Sequence, residues 1–253
     1  MSRPNDARSV TSKVLAILDA FRPAEPELTL SQIAARAKLS KPTAHRRVAE
    51  LVDWGALERD ESGVFRIGVR LWEVASLAPR VLPLRELALP CLEDLLRLTN
   101  GNSQLAVRSG DEALFIERLR GRNTLRAHTA AANRLPLTAP AVGRALLAFS
   151  PSQLQEEVLS RPIRRFTEET VTDPDEMRRK LAEVREVGYA VSPRQIELGA
   201  TSVGAPIFDR TGMVKAAIGV VFENDKIDPE HLASIVLTFA RALSRVLGAD
   251  ISR

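Results

Sequence analysis

Between residues 29 and 68, TLSQIAARAKLSKPTAHRRVAELVDWGALERDESGVFRIG, the spacing of apolar positions changes from helical to alternating. Ala44, Val48, Leu51 and Val52 recur every three or four residues, which gathers them on one helical face. Pro42, Thr43, Arg46 and Glu50 then fall on the opposite face. Upstream, Ile33 and Ala34 give a short helix a small buried side, with Ser31 expected to cap Gln32–Ala37. Lys38, Leu39 and Ser40 make the turn between the two helices. Ser40 is an N-cap type whose hydroxyl is expected to accept from an amide two or three residues on, and Gly55 closes the second helix. The runs Ala56–Asp60 and Val64–Gly68 flank Glu61-Ser62-Gly63, a three-residue loop with glycine where a positive φ is needed. Helix, turn, helix and hairpin in that order predict a winged helix-turn-helix.

Val69–Ala78 reads as an amphipathic linker helix carrying Leu71, Trp72, Ala75 and Leu77, and Pro79 and Pro83 bracket a break after it. Leaving these side chains wet forgoes roughly 25 cal/mol per Å² of burial, so they are covered either by a partner subunit or by their own wing and helix. From residue 84 the pattern becomes α+β. A helix is expected over Leu84–Thr99, with strands near Gln104–Arg108, Ala113–Arg118 and Leu125–His128. Val203–Phe208 and Val214–Phe222, joined by Asp209-Arg210-Thr211-Gly212, complete one antiparallel sheet, and a last helix covers about Pro229–Leu247. Ser150-Pro151, Asp173-Pro174 and Asp228-Pro229 each read as N-cap plus first helical residue. The expected divisions are 1–68 for the winged domain, 69–83 for the linker helix and break, and 84–253 for the second domain.

Charge separates a DNA reader from a bland helical module. Residues 33–49 carry Arg36, Lys38, Lys41, Arg46 and Arg47 and no acidic residue, while the whole chain is only +4. Basicity is thus concentrated where a helix N-terminus would meet phosphates. Ser40, Lys41, Pro42, Thr43, His45, Arg46 and Arg47 are the candidates on the recognition helix, whose first turns carry base contacts. Arg59 and Arg66 on the wing suit phosphate or minor groove. The alternative is a small-molecule-binding α+β protein whose winged helix mediates protein contacts.

Several motifs in order resemble the IclR family of bacterial transcriptional regulators. They are Leu30–Ala34, Ser40–Arg46, the wing end Phe65–Gly68, Arg134–Ala139, Gly143–Ala148, Gly188–Val191 and Gly204–Asp209, and together the likeness runs from about residue 8 to 248. The resemblance implies a GAF-like effector-binding C-terminal domain and dimerisation through the DNA-binding domain and linker, with dimers able to pair into tetramers. A two-fold assembly implies a palindromic double-stranded DNA operator. Family members act as repressors and as activators; the repressor sense is adopted here.

By the same resemblance, Ala139–Gly143 is the pocket loop at a helix N-terminus, with the Ala141 and Val142 amides facing a carboxylate. Ser192, Ser202, Gly219 and Val221 align with polar positions in members that bind small oxoacids. Ser192 replaces an acidic residue there, and Gly219 and Val221 replace hydroxyls, which implies a roomier, more apolar pocket. The effector is then expected to be a larger organic acid, aromatic or acyl, with Leu125 and Ala127 on its apolar wall and Arg126, Arg144 or Arg194 as candidate charges.

Composition fits a soluble globular chain, 45% hydrophobic and 27% charged. The single cysteine, Cys91, lies among leucines and is expected to be buried rather than reactive. No apolar run approaches the ~18 residues of a membrane span, so a cytoplasmic protein without membrane contact is expected. His45, His128 and His231 lie in separate segments, and no phosphate loop or nucleophile elbow occurs. Neither an enzyme nor a bound metal or cofactor is expected, and Asp173, Asp175 and Glu176 are explained by capping.

Overall fold

The computed structural model describes residues 8–22, 24–78, 81–121, 133–223 and 228–250, which fall into two compact units, Met1–Leu82 and Pro83–Arg253. The first holds α1 (Val10–Leu18), β1 (Glu27–Leu28), α2 (Leu30–Arg36), α3 (Lys41–Trp54), β2 (Leu57–Arg59), β3 (Phe65–Ile67) and α4 (Val69–Ser76). Its core is built from Ile17, Leu28, Ile33, Val48, Leu51, Leu57 and Phe65, so the apolar stripe of α3 faces inward as its spacing requires.

Helix α2 starts two residues earlier than expected. Thr29, not Ser31, is the N-cap, because Gln32 three residues on completes a capping box: Thr29 Oγ1 accepts from the Gln32 amide and Gln32 Oε1 accepts from the Thr29 amide. Ser40 does occupy the N-cap of α3, yet it makes no capping bond and its hydroxyl donates to Thr43 Oγ1 at 2.9 Å. Gly55 (φ +85°) and Gly63 (φ +84°) take the left-handed conformations their turns need. The wing has three strands in the order β1-β3-β2, since Glu27–Leu28 pairs with Arg66–Phe65; two residues are too few to carry a period.

The second unit holds α5 (Leu82–Thr99), β4 (Asn102–Ser109), β5 (Glu112–Leu119), β6 (Arg134–Pro136), α6 (Ala141–Ala148), α7 (Ser152–Leu159), α8 (Pro174–Val187), β7 (Ala190–Pro193), β8 (Ala200–Phe208), β9 (Val214–Glu223) and α9 (Pro229–Val246). Among the described residues, six strands form one antiparallel sheet in the order β6-β5-β4-β9-β8-β7. One sheet face packs Leu105, Val203, Ala205, Ile218 and Val220 against α5 and α9, and the other packs Ala106, Phe115 and Ala217 against α6 and α8. Asp173 and Asp228 cap α8 and α9 through their carboxylates. At Ser150-Pro151 the expectation fails: Pro151 itself is the N-cap of α7, and Ser150 Oγ donates back to the Leu146 carbonyl at 2.7 Å. The expected strand Leu125–His128 lies outside the described residues. Cys91 is half-buried on α5, where burial pushes its thiol up. No described helix is long and apolar enough to cross a membrane.

Candidate functional sites: a recognition helix and an effector cavity

The candidate DNA face is the start of α3. Ser40, Lys41, Pro42, His45 and Arg46 are exposed and Thr43 is half-exposed, while Ala44, Val48 and Leu51 are buried, and His45 lines a groove with Val48, Arg59 and Phe65. The basic cluster is smaller in space than in sequence. Arg36 donates to the Ala20 carbonyl and pairs with Glu25, so it serves the fold. Arg47 is mostly buried, and its Nη1 donates to both oxygens of Glu50 at 2.7 and 2.8 Å. Arg59 lies across the Phe65 ring at 5.6 Å, and Arg66 pairs with Glu58 at 3.1 Å. The Val69 amide and the Arg66 guanidinium hold the Glu58 carboxyl below its ordinary range. Lys41, His45 and Arg46 remain as the forward-facing donors of α3.

In the second unit, two glycines set where α6 can sit. Gly204 and Gly219 are register partners on β8 and β9. A Cβ on Gly204 would lie 2.6 Å from the Val142 nitrogen, and one on Gly219 would lie 2.7 Å from Val142 Cγ1 and press on the Val203 carbonyl. The absent side chains let the first turn of α6 rest on the backbone of the sheet. The Ala141 amide then donates to Ser202 Oγ at 3.2 Å, so that amide is already engaged.

Beside this contact opens a cavity. Its floor is one register row across four strands, with Ser192 opposite Ser202, Ser202 opposite Val221, and Val221 opposite Asn102. All four residues line it, joined by apolar Phe115, Leu135, Pro140 and Ile196 and by charged Arg118, Arg120 and Glu197. Ser192 is 3% exposed, and among the described residues its hydroxyl has no hydrogen-bond partner. A buried hydroxyl in that state is short of a bond that a ligand can supply.

Of the expected effector residues, Ser192, Ser202 and Val221 therefore line one cavity. Ala141, Val142 and Gly219 lie beside it, in the α6 contact, and Gly219 is a packing glycine rather than a lining one. Leu125, Ala127 and Arg126 lie outside the described residues. Arg144 and Arg194 do not reach this cavity; both line another, with Lys180 and Gln195. Arg144 is 2% exposed, donating to the Thr138 carbonyl at 2.7 Å and to Gln195 Oε1, and burial pulls it down to about 10. Gln195 in turn accepts from the Val171 amide and donates to the Glu169 and Pro193 carbonyls, which ties α6 to the loop ahead of Ile196. Arg118 and Arg120, missed from sequence, supply the cavity's positive charge.

The chain matches the family descriptions "IclR helix-turn-helix domain" over residues 10–61 and "Bacterial transcriptional regulator IclR C-terminal" over residues 78–245. It is 31% identical over 242 residues to the HTH-type transcriptional regulator KipR of Bacillus subtilis strain 168, covering 93% of this chain and 96% of that protein. Among solved structures, an IclR homolog from Microbacterium hydrocarbonoxydans complexed with 4-hydroxybenzoate superposes with a TM-score of 0.89 at 37% identity, covering 96% of this chain and all of that one. The Thermotoga maritima IclR gives 0.75 at 27% identity, covering 94% and 98%. With both domains matched in order, the chain belongs to the IclR family of bacterial transcriptional regulators, helix-turn-helix DNA-binding proteins and not enzymes.

Proposed function

We propose that this protein is a ligand-responsive repressor that binds a palindromic operator as a dimer or a pair of dimers, and whose operator affinity is changed by a small aromatic carboxylic acid. The observation that carries the reading is the make-up of the cavity: a buried hydroxyl at Ser192 that no described residue bonds, two arginines and an apolar wall. A structural relative with 4-hydroxybenzoate bound supports the aromatic class. Dimerisation is supported by α4, where Leu71 packs on the core of its own domain while Trp72 is 67% and Leu77 79% exposed.

The mechanism is linkage. An effector that prefers one arrangement of the paired DNA-binding domains shifts the spacing of the two α3 helices, and a coupling of about 1–3 kcal/mol changes DNA affinity about 5–150-fold. The test measures binding of the full chain to DNA upstream of its own and neighbouring genes, at two salt concentrations, with and without 4-hydroxybenzoate and related acids. Selective, salt-sensitive binding that an acid weakens supports the repressor reading. Tightening instead identifies an activator or co-repressed system, and absence of selective binding moves the winged helix to protein contacts.

A further inference from the structure

Phe115 and Arg118 stand three residues apart on β5, and in a regular strand side chains three apart point to opposite faces. A β-bulge changes this. Leu105 of β4 is opposite Glu117 and its neighbour Ala106 is opposite Phe115, which leaves Ile116 as the extra residue. Alternation restarts after it, so Arg118 joins Phe115 on the cavity side. Glu117 turns to the other face, where it pairs with Arg85 of α5 at 2.6 Å. The guanidinium of Arg118 lies 3.6 Å from the centroid of the Phe115 ring, and both line the cavity with Gln104, the register partner of Arg118.

We propose that Arg118, turned inward by the bulge and backed by the Phe115 ring, is the counter-charge for the effector's carboxylate, and that Ser192 Oγ takes a hydrogen bond from the effector's uncharged polar group. This rests on the effector reading above and assigns the residues that read charge and polarity. The described lining residues include two arginines, Arg118 and Arg120, and one carboxylate, Glu197. Burial, with Arg120 beside it, pulls Arg118 down to about 10, so it is still cationic at neutral pH. In such a partly dried site an ion pair is worth more than in water. The competing anchor, the N-terminus of α6, already spends its Ala141 amide on Ser202. Ser192 supplies the second, independent sign of a ligand, being nearly enclosed with its hydroxyl unbonded.

Isothermal titration of the full chain with 4-hydroxybenzoate, benzoate and the neutral 4-hydroxybenzamide tests the assignment. The wild type should prefer the hydroxy acid over the amide about 10- to 100-fold, the scale of one charged hydrogen-bonded contact. R118Q should bind acid and amide within about threefold of each other, and R118K should recover part of the preference. S192A should lose the preference for 4-hydroxybenzoate over benzoate. Ligand-free operator binding by each variant reports that the fold is intact. An R118Q protein that keeps the wild-type preference for the acid overturns this inference and leaves the regulator reading standing. A wild type that binds none of the three ligands overturns both.

Discussion

A serine hydroxyl buried without a hydrogen-bond partner costs about 1–3 kcal/mol, and no described residue bonds Ser192 Oγ. Removing it should therefore separate stability from function. Ser192→Ala is expected to raise the unliganded melting temperature by about 2–4 °C, equivalent to about 1 kcal/mol, while shrinking the further rise caused by 4-hydroxybenzoate. Gly219→Ala should do the reverse of a pocket variant: its Cβ meets Val142 and the Val203 carbonyl, and overpacking of about 1–3 kcal/mol should lower the melting temperature with or without ligand. Thermal melts of both variants check this, and a wild-type melt for Gly219→Ala would mean that α6 lifts off the sheet freely. Ser192, Ser202 and Val221 were legible in the sequence because family motifs fix their register. Arg118 was not, because its direction depends on one extra residue at Ile116, and a bulge leaves no periodic trace in a strand this short.

At the level of elements, α3 is the clearest sequence signal and the one with the most specific consequence. Arg46 is exposed and pairs with no carboxylate among the described residues, whereas two atoms of Glu50 already hold Arg47. Arg46→Ala is expected to cost about 1–3 kcal/mol on the specific operator and less on random duplex, if it reads a base edge. Arg47→Ala should cost clearly less on both. Equal losses for Arg46→Ala on the two duplexes, measured by fluorescence anisotropy, would reduce it to a phosphate contact. Fourteen residues of regular spacing fixed this helix in advance. The start of α2 was misplaced because Thr29 and Ser31 are both capping residues, and only the partner three positions on, Gln32, decides between them. β1 and the three-strand wing escaped for a different reason: Glu27–Leu28 exists as a strand only through its pairing with β3.

For the whole molecule, the proposed function assigns DNA to the first unit and a ligand to the second, and α4 belongs to the first of them. Its outward face should be covered by a second copy. Trp72→Glu is expected to shift the sedimentation equilibrium toward monomer and to weaken operator binding at least tenfold through lost bivalency, with 4-hydroxybenzoate affinity unchanged. A Trp72→Glu protein that sediments as the wild type does would place the dimer contact elsewhere. The sheet of the second unit has a longer reach than any single variant. Its glycine row, Gly204 and Gly219, is fixed by the helix that rests on it. The next row on the same face, Ser192, Ser202, Val221 and Asn102, borders open space. Residues that hold the domain together and residues that line the cavity are thus two steps apart along the same strands. On the proposed function, a lineage can exchange one signal molecule for another by drift within the second row and inherit the rest of the domain intact.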